Sequence, residues 1–138
     1  MHQIMAKIRT AEDMEQVLSP YLASHVIDED TACWIRERFI QMTQDEQIAA
    51  AFYPSAKVKT ECEIYYPQSE TGVVRLDRYA ELSDVIYLID YKTGQKNNKH
   101  NKQVQEYAAA LKDLSDKEIR AYLVYLSETE IAVEAVAC

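Results

Sequence analysis

The 138-residue chain is predicted to be a single α/β domain, with a helical part over about residues 1–56 and a sheet core over about 57–138. Three observations predict it. Apolar residues recur at helical spacing as far as Phe52, the period shortens to that of strands from Val58 onward, and one more helical stretch between Asn101 and Asp113 interrupts the strands.

Met1 to Ile8 reads as a short amphipathic helix. Thr10-Ala11-Glu12-Asp13 resembles a capping box ahead of Met14, Val17, Leu18, Tyr21 and Leu22, with Pro20 expected to shorten or bend that helix. Asp28-Glu29-Asp30-Thr31 places acids at the start of a third helix, whose stripe is Trp34, Ile35, Phe39 and Met42. Gln44 to Phe52 reads as a shorter fourth helix, ended by Tyr53-Pro54-Ser55. Val58 to Tyr66 is then a strand, and Pro67 to Thr71 a turn. Gly72 to Lys92 follows as a hairpin turning at Ser83-Asp84. Val85 to Ile89 is apolar on both faces, as a central strand is. Gln95 to Lys102 is read as a polar, cationic loop, and the next helix turns Val104, Ala108 and Leu111 inward. Ala121 to Leu126 and Ile131 to Val136 are the last two strands.

Composition narrows the class. No apolar run approaches the ~20 residues of a membrane span, and no signal-peptide layout opens the chain, so a cytoplasmic protein without a membrane partner is expected. Cys33, Cys62 and Cys138 are odd in number and widely spaced, which suits free thiols and gives no zinc or iron–sulfur spacing. A formal charge of -8 lowers the case for a stand-alone DNA-binding module. It leaves room for a metal-dependent nuclease, whose ligands are themselves acidic.

The hairpin is the most informative segment. A turn centred between residues 83 and 84 sets Asp77 directly across from Asp90 and puts Lys92 on the same face. Facing carboxylates repel unless a cation sits between them. The competing reading is a structural salt bridge of Asp77 with Arg75 or Arg78.

These residues carry a family resemblance. Gly72-x-x-Arg75-x-Asp77-Arg78, then Asp90-Tyr91-Lys92-Thr93-Gly94, then Gln103-Val104-Gln105-Glu106-Tyr107 resemble the acidic motifs and the Q-x-x-x-Y helix of RecB-like nucleases of the PD-(D/E)XK superfamily. Met1-His2 looks like the start of that family's histidine motif, without the Arg-Gly pair that commonly precedes it. The likeness is strongest to the C-terminal nuclease domain of AddA-type and UvrD-like helicase-nucleases. It implies a restriction-endonuclease-like core, a central mixed sheet flanked by helices, behind a helical N-terminal half. It also implies DNA phosphodiester hydrolysis with magnesium or manganese in double-strand break repair. The chain has no phosphate-binding G-x-x-x-x-G-K-[ST] loop, so it is read as a domain excised from a larger helicase-nuclease, whose motor domains and partner subunit would deliver the DNA.

By resemblance, His2, Asp77, Asp90 and the main-chain carbonyl of Tyr91 would hold the metal, with Glu61 as a further carboxylate by family position. Lys92 would stabilise developing charge. Gln103 and Tyr107, one helical turn apart, would steady Lys92 or a phosphate. Tyr107 reads as readily as core, and Glu61 as readily as surface. Lys96, Lys99 and Lys102 would grip the strand, or simply line a solvated loop. The rival functions are a catalytically silent nuclease-fold module for DNA binding or assembly, and a stand-alone nuclease acting on RNA or recombination intermediates.

Overall fold

The change of period near residue 57 is a change of architecture. The computed structural model describes residues 2–138, and side chains from residue 3 on. Helices α1 (His2–Ala6), α2 (Met14–Ala23) and α3 (Glu29–Gln44) come first, followed by a short 3-10 turn at Ala49–Phe52. Strands β1 (Lys57–Tyr65), β2 (Val73–Glu81) and β3 (Val85–Thr93), helix α4 (Asn98–Lys112), and strands β4 (Glu118–Leu126) and β5 (Ile131–Val136) complete the chain.

Local chemistry sets the boundaries. The Asp28 carboxylate accepts the Thr31 N–H at 2.8 Å and starts α3, with Glu29 and Asp30 in its first turn. Before α2 only the return half of a capping box forms: the Asp13 carboxylate takes the Thr10 N–H at 3.1 Å. Pro20 lies inside α2 without ending it. The expected fourth helix shrinks to the 3-10 turn, and α4 begins at Asn98, because the Asn97 side chain caps the Lys99 N–H at 2.9 Å. Lys99 and Lys102 therefore ride on a helix and not on a loop.

The five strands form one mixed sheet in the order β1-β2-β3-β4-β5. β1, β2 and β3 form an antiparallel meander, β3 and β4 run parallel, and β5 returns antiparallel to β4. Parallel neighbours need a crossover, and α4 supplies it. β3 is central, as its apolar run predicts: all of Val85 to Tyr91 is buried. One face carries Ala80, Tyr87, Ile89 and Val124 against Met5, Ile8, Leu18, Ile35 and Phe39 of the N-terminal helices. The other packs Leu76, Ile86, Leu88 and Leu123 against Val104, Tyr107 and Leu111 of α4. Each face removes a contiguous apolar surface from water, at roughly 25 cal/mol per Å². No helix among the described residues is long and apolar enough to cross a membrane.

Candidate active site at the fork of β2 and β3

Residues two apart on a strand share a face, yet Leu76 packs toward α4 while Arg78 points to the N-terminal helices. The paired strand switches at the same level, since Thr60 lies opposite Arg78 and Cys62 opposite Leu76. Between them Glu61 sits at φ 52, the left-handed region. A non-glycine residue there carries roughly 1–2 kcal/mol of backbone strain. This phase change lies beside Asp77.

The β2–β3 ladder runs from Glu81↔Ile86 to Arg78↔Ile89, in the register that the turn at residues 83 and 84 predicts. Beyond that pair, side chains replace main-chain pairing. The Asp77 N–H donates to Asp90 Oδ1 at 3.1 Å, and the Tyr91 N–H donates to Asp77 Oδ2 at 2.8 Å. Each aspartate caps the backbone of the opposite strand, and the strands fork around the two carboxylates.

Asp90 is only 3% exposed and Asp77 is half-buried. Burial first, and then the neighbouring Asp90, push the Asp77 carboxyl up to about 8. Lys92 Nζ lies 2.8 Å from Asp90 Oδ2 and donates to Gln103 Oε1 at 3.0 Å. The Gln103 amide in turn donates to the Arg75 carbonyl at 2.7 Å, so one glutamine ties α4, Lys92 and β2 together. Neither arginine neutralises Asp77. Arg75 pairs with Glu61 at 3.6 Å, and Arg78 donates to backbone carbonyls on the other face.

Other expected residues stand elsewhere. Tyr107 is buried and donates to Cys62 Sγ at 2.8 Å, so it braces β1 and does not touch Lys92. Glu61 is engaged by Lys7 at 3.4 Å and by Arg75, outside the facing aspartates. Lys96 turns to β5, where Glu134 lies at 2.9 Å. Lys99 and Lys102 line a cleft of about 400 Å³ with Arg75, Gln103, Glu70 and Glu106, next to the fork. The expectation for the His2 side chain lies outside the described residues.

No family model and no curated protein matches the chain. Among solved structures it is similar to the crystal structure of SSO0001, with a TM-score of 0.46 and 15% identity over 98% of this chain. It spans 65% of that chain's length. A likeness this loose says nothing about the site.

The chemistry of the donor set does. Among the described residues no three His, Cys, Asp or Glu side chains cluster as a metal cage. The fork instead offers two hard carboxylates crowded enough that one of them favours its proton. Magnesium binds with one or two carboxylates and keeps several waters, and manganese prefers similar ligands, so the fork fits such an ion. Sequence reasoning missed two features here: the buried Arg78 on the reverse face and the left-handed Glu61. In the sequence Arg78 is weighed only as one of two possible salt-bridge partners of Asp77, since its neighbours Arg75 and Asp77 are themselves charged.

Proposed function

We propose that the chain is a metal-dependent nuclease domain of the PD-(D/E)XK type, hydrolysing DNA phosphodiester bonds with magnesium or manganese. One observation carries it: Asp77 and Asp90 face each other across a fork, with Lys92 on the same side. The half-buried Asp77 sits beside the buried Asp90 and is neutralised by neither neighbouring arginine, which leaves its charge for an ion to balance.

Asp77 and Asp90, with the Tyr91 carbonyl, would hold the ion. When bound, it would supply positive charge to the scissile phosphate and acidify a water. Lys92 holds an ammonium at 2.8 Å from Asp90 and cannot itself ligate while protonated. Its part is to donate to the attacking water and to the phosphate oxygens as negative charge builds on them. Gln103 keeps that ammonium on the inner side of the fork, because its amide is fixed at both ends. Asp77 must lose its proton before it can ligate, which couples loading to pH. Lys99, Lys102 and Arg75 in the adjoining cleft would take the backbone of the strand on its way to the fork.

The -8 overall charge disfavours tight DNA binding by this chain alone, and by the resemblance the motor domains of a longer helicase-nuclease would deliver the strand in double-strand break processing. A silent DNA-binding or assembly module with the same fold is the alternative. Incubating the purified protein with labelled DNA and manganese, beside Asp90→Asn, tests the choice. Cleavage by wild type alone supports the enzyme; no cleavage by either, together with DNA binding, supports the module.

A further inference from the structure

Arg78 follows Asp77 directly and is fully buried. Its Nε and Nη2 donate to the Ala51 carbonyl at 3.1 and 2.9 Å, and Nη1 donates to the Ile8 carbonyl at 3.2 Å. Nη2 also reaches the Arg9 carbonyl, and the guanidinium stacks on Phe52 at 4.0 Å. Among the described residues no carboxylate forms an ion pair with it. Burying a charge without a counter-charge is costly, and an apolar residue of similar volume would fill the space at less cost. A guanidinium gives something that an apolar residue cannot: a planar fork of donors tying one strand to two separate backbone segments at once.

Its place in the sheet says what the tie controls. Arg78↔Ile89 is the last ladder pair before the fork, and on the other flank the left-handed Glu61 breaks the regular pleat. Asp77 thus begins where main-chain pairing ends on one side and is distorted on the other. Pairing with β1 resumes only at Cys62↔Leu76, and on the reverse face this part of β2 is held by the Arg78 side chain, anchored to the end of the α1 segment and to the 3-10 turn.

We propose that Arg78 is a positioning residue: from the reverse face of the sheet it sets the spacing of Asp77 from Asp90, and so the affinity of the fork for a divalent ion. The metal half rests on the nuclease reading above; the effect on the fork does not. Arg78 touches neither ion nor substrate and acts only through the strand.

The test uses Arg78→Lys, which keeps the charge but replaces the planar donor set with a single point. In the metal-free protein, amide hydrogen exchange should quicken at least about tenfold at Asp77 and Tyr91, the two donors of the crossed bonds. Leu123 and Val124 in β4 should keep their protection. Calorimetric titration with manganese should show an affinity about 10-fold to 100-fold weaker than wild type, the range typical of groups that orient ligands from behind. Arg78→Lys that folds with unchanged exchange at Asp77 and Tyr91 overturns the proposal, and so does an equal slowing or quickening across the whole sheet. Wild type that binds no manganese, beside a selective loss of protection in Arg78→Lys, defeats the metal half and the nuclease reading while upholding the effect on the fork. If the lysine variant fails to fold, Phe52→Leu removes the stacking ring and keeps the guanidinium. The same two amides should then quicken to a smaller degree, and unchanged exchange in that variant overturns the proposal.

Discussion

Asp90 accepts the main-chain N–H of Asp77 at 3.1 Å across the end of the β2–β3 ladder, while the Asp77 carboxylate takes the N–H of Tyr91 at 2.8 Å. Facing carboxylates that are also each other's strand caps are held together against their repulsion. The penalty is lifted by a proton, by a cation, or in part by Lys92.

The pH dependence of metal-free stability follows from Asp77. Its folded value, about 8, lies above the ordinary carboxylate value of 3.8, so between the two the folded state keeps a proton that the unfolded state has released. The contribution is complete below about pH 3.8 and is lost as pH rises through about 8. Thermal melts in chelator should show Tm falling across that window, and the fall should be smaller in Asp77→Asn.

Asp77→Asn keeps a carbonyl to accept the Tyr91 N–H and is neutral at every pH, so it sits beside Asp90 without having to take up a proton on folding. The metal-free variant should be slightly more stable than wild type near neutral pH. It should also lose the rise in Tm that manganese gives wild type, which grows as RT ln(1 + [L]/Kd). A destabilised variant with an unchanged response to manganese would show that the aspartates serve structure alone.

Lys92→Ala should cut DNA about 10²-fold to 10³-fold more slowly while still binding manganese. Its metal-free form should melt lower, because Asp90 is nearly buried and loses its cation at 2.8 Å. Added manganese should recover that loss. Near-normal turnover in a discontinuous cleavage assay would remove Lys92 from the mechanism.

DNA affinity of the isolated protein should be weak and fall with salt. Replacing both Lys99 and Lys102 by Ala should make the slope of log K against log salt shallower by about 1.4 for a single strand, as expected for two lost phosphate contacts. Lys96→Ala should change little, since that ammonium is occupied by Glu134 at 2.9 Å. Fluorescence anisotropy over a salt series, with calcium in place of manganese, measures both.

Glu61→Gly should stabilise the fold by about 1 kcal/mol, less what its exposed ion pairs with Lys7 and Arg75 contribute, since the residue sits at φ 52. Denaturant titration checks the sign.

Much of the site was legible because it depends on local period and on one turn. The turn at Ser83-Asp84 sets the register as far as Arg78↔Ile89, and carrying it one step on brings Asp77 level with Asp90, where their side chains take over from main-chain pairing. The apolar stretch Val85 to Ile89 marked the central strand, and Val104, Ala108 and Leu111 marked the buried face of α4. The first three helices and the closing pair of strands were equally readable, since each is a matter of spacing, whereas the fourth helix read over Gln44 to Phe52 is only the 3-10 turn.

Tertiary structure decided the rest, because it depends on which distant groups meet. Only the packing of α4 shows Gln103 on Lys92 and Tyr107 on Cys62, two residues one turn apart with different partners. Only the approach of the α1 segment and the 3-10 turn supplies the carbonyls that take Arg78 away from Asp77. The start of α4 at Asn98 rests on a side-chain cap, which a run of lysines and asparagines does not announce. Spacing along the chain determines face and register, whereas the partner of a buried polar group is fixed by whichever unsatisfied donor or acceptor the fold brings within about 3 Å.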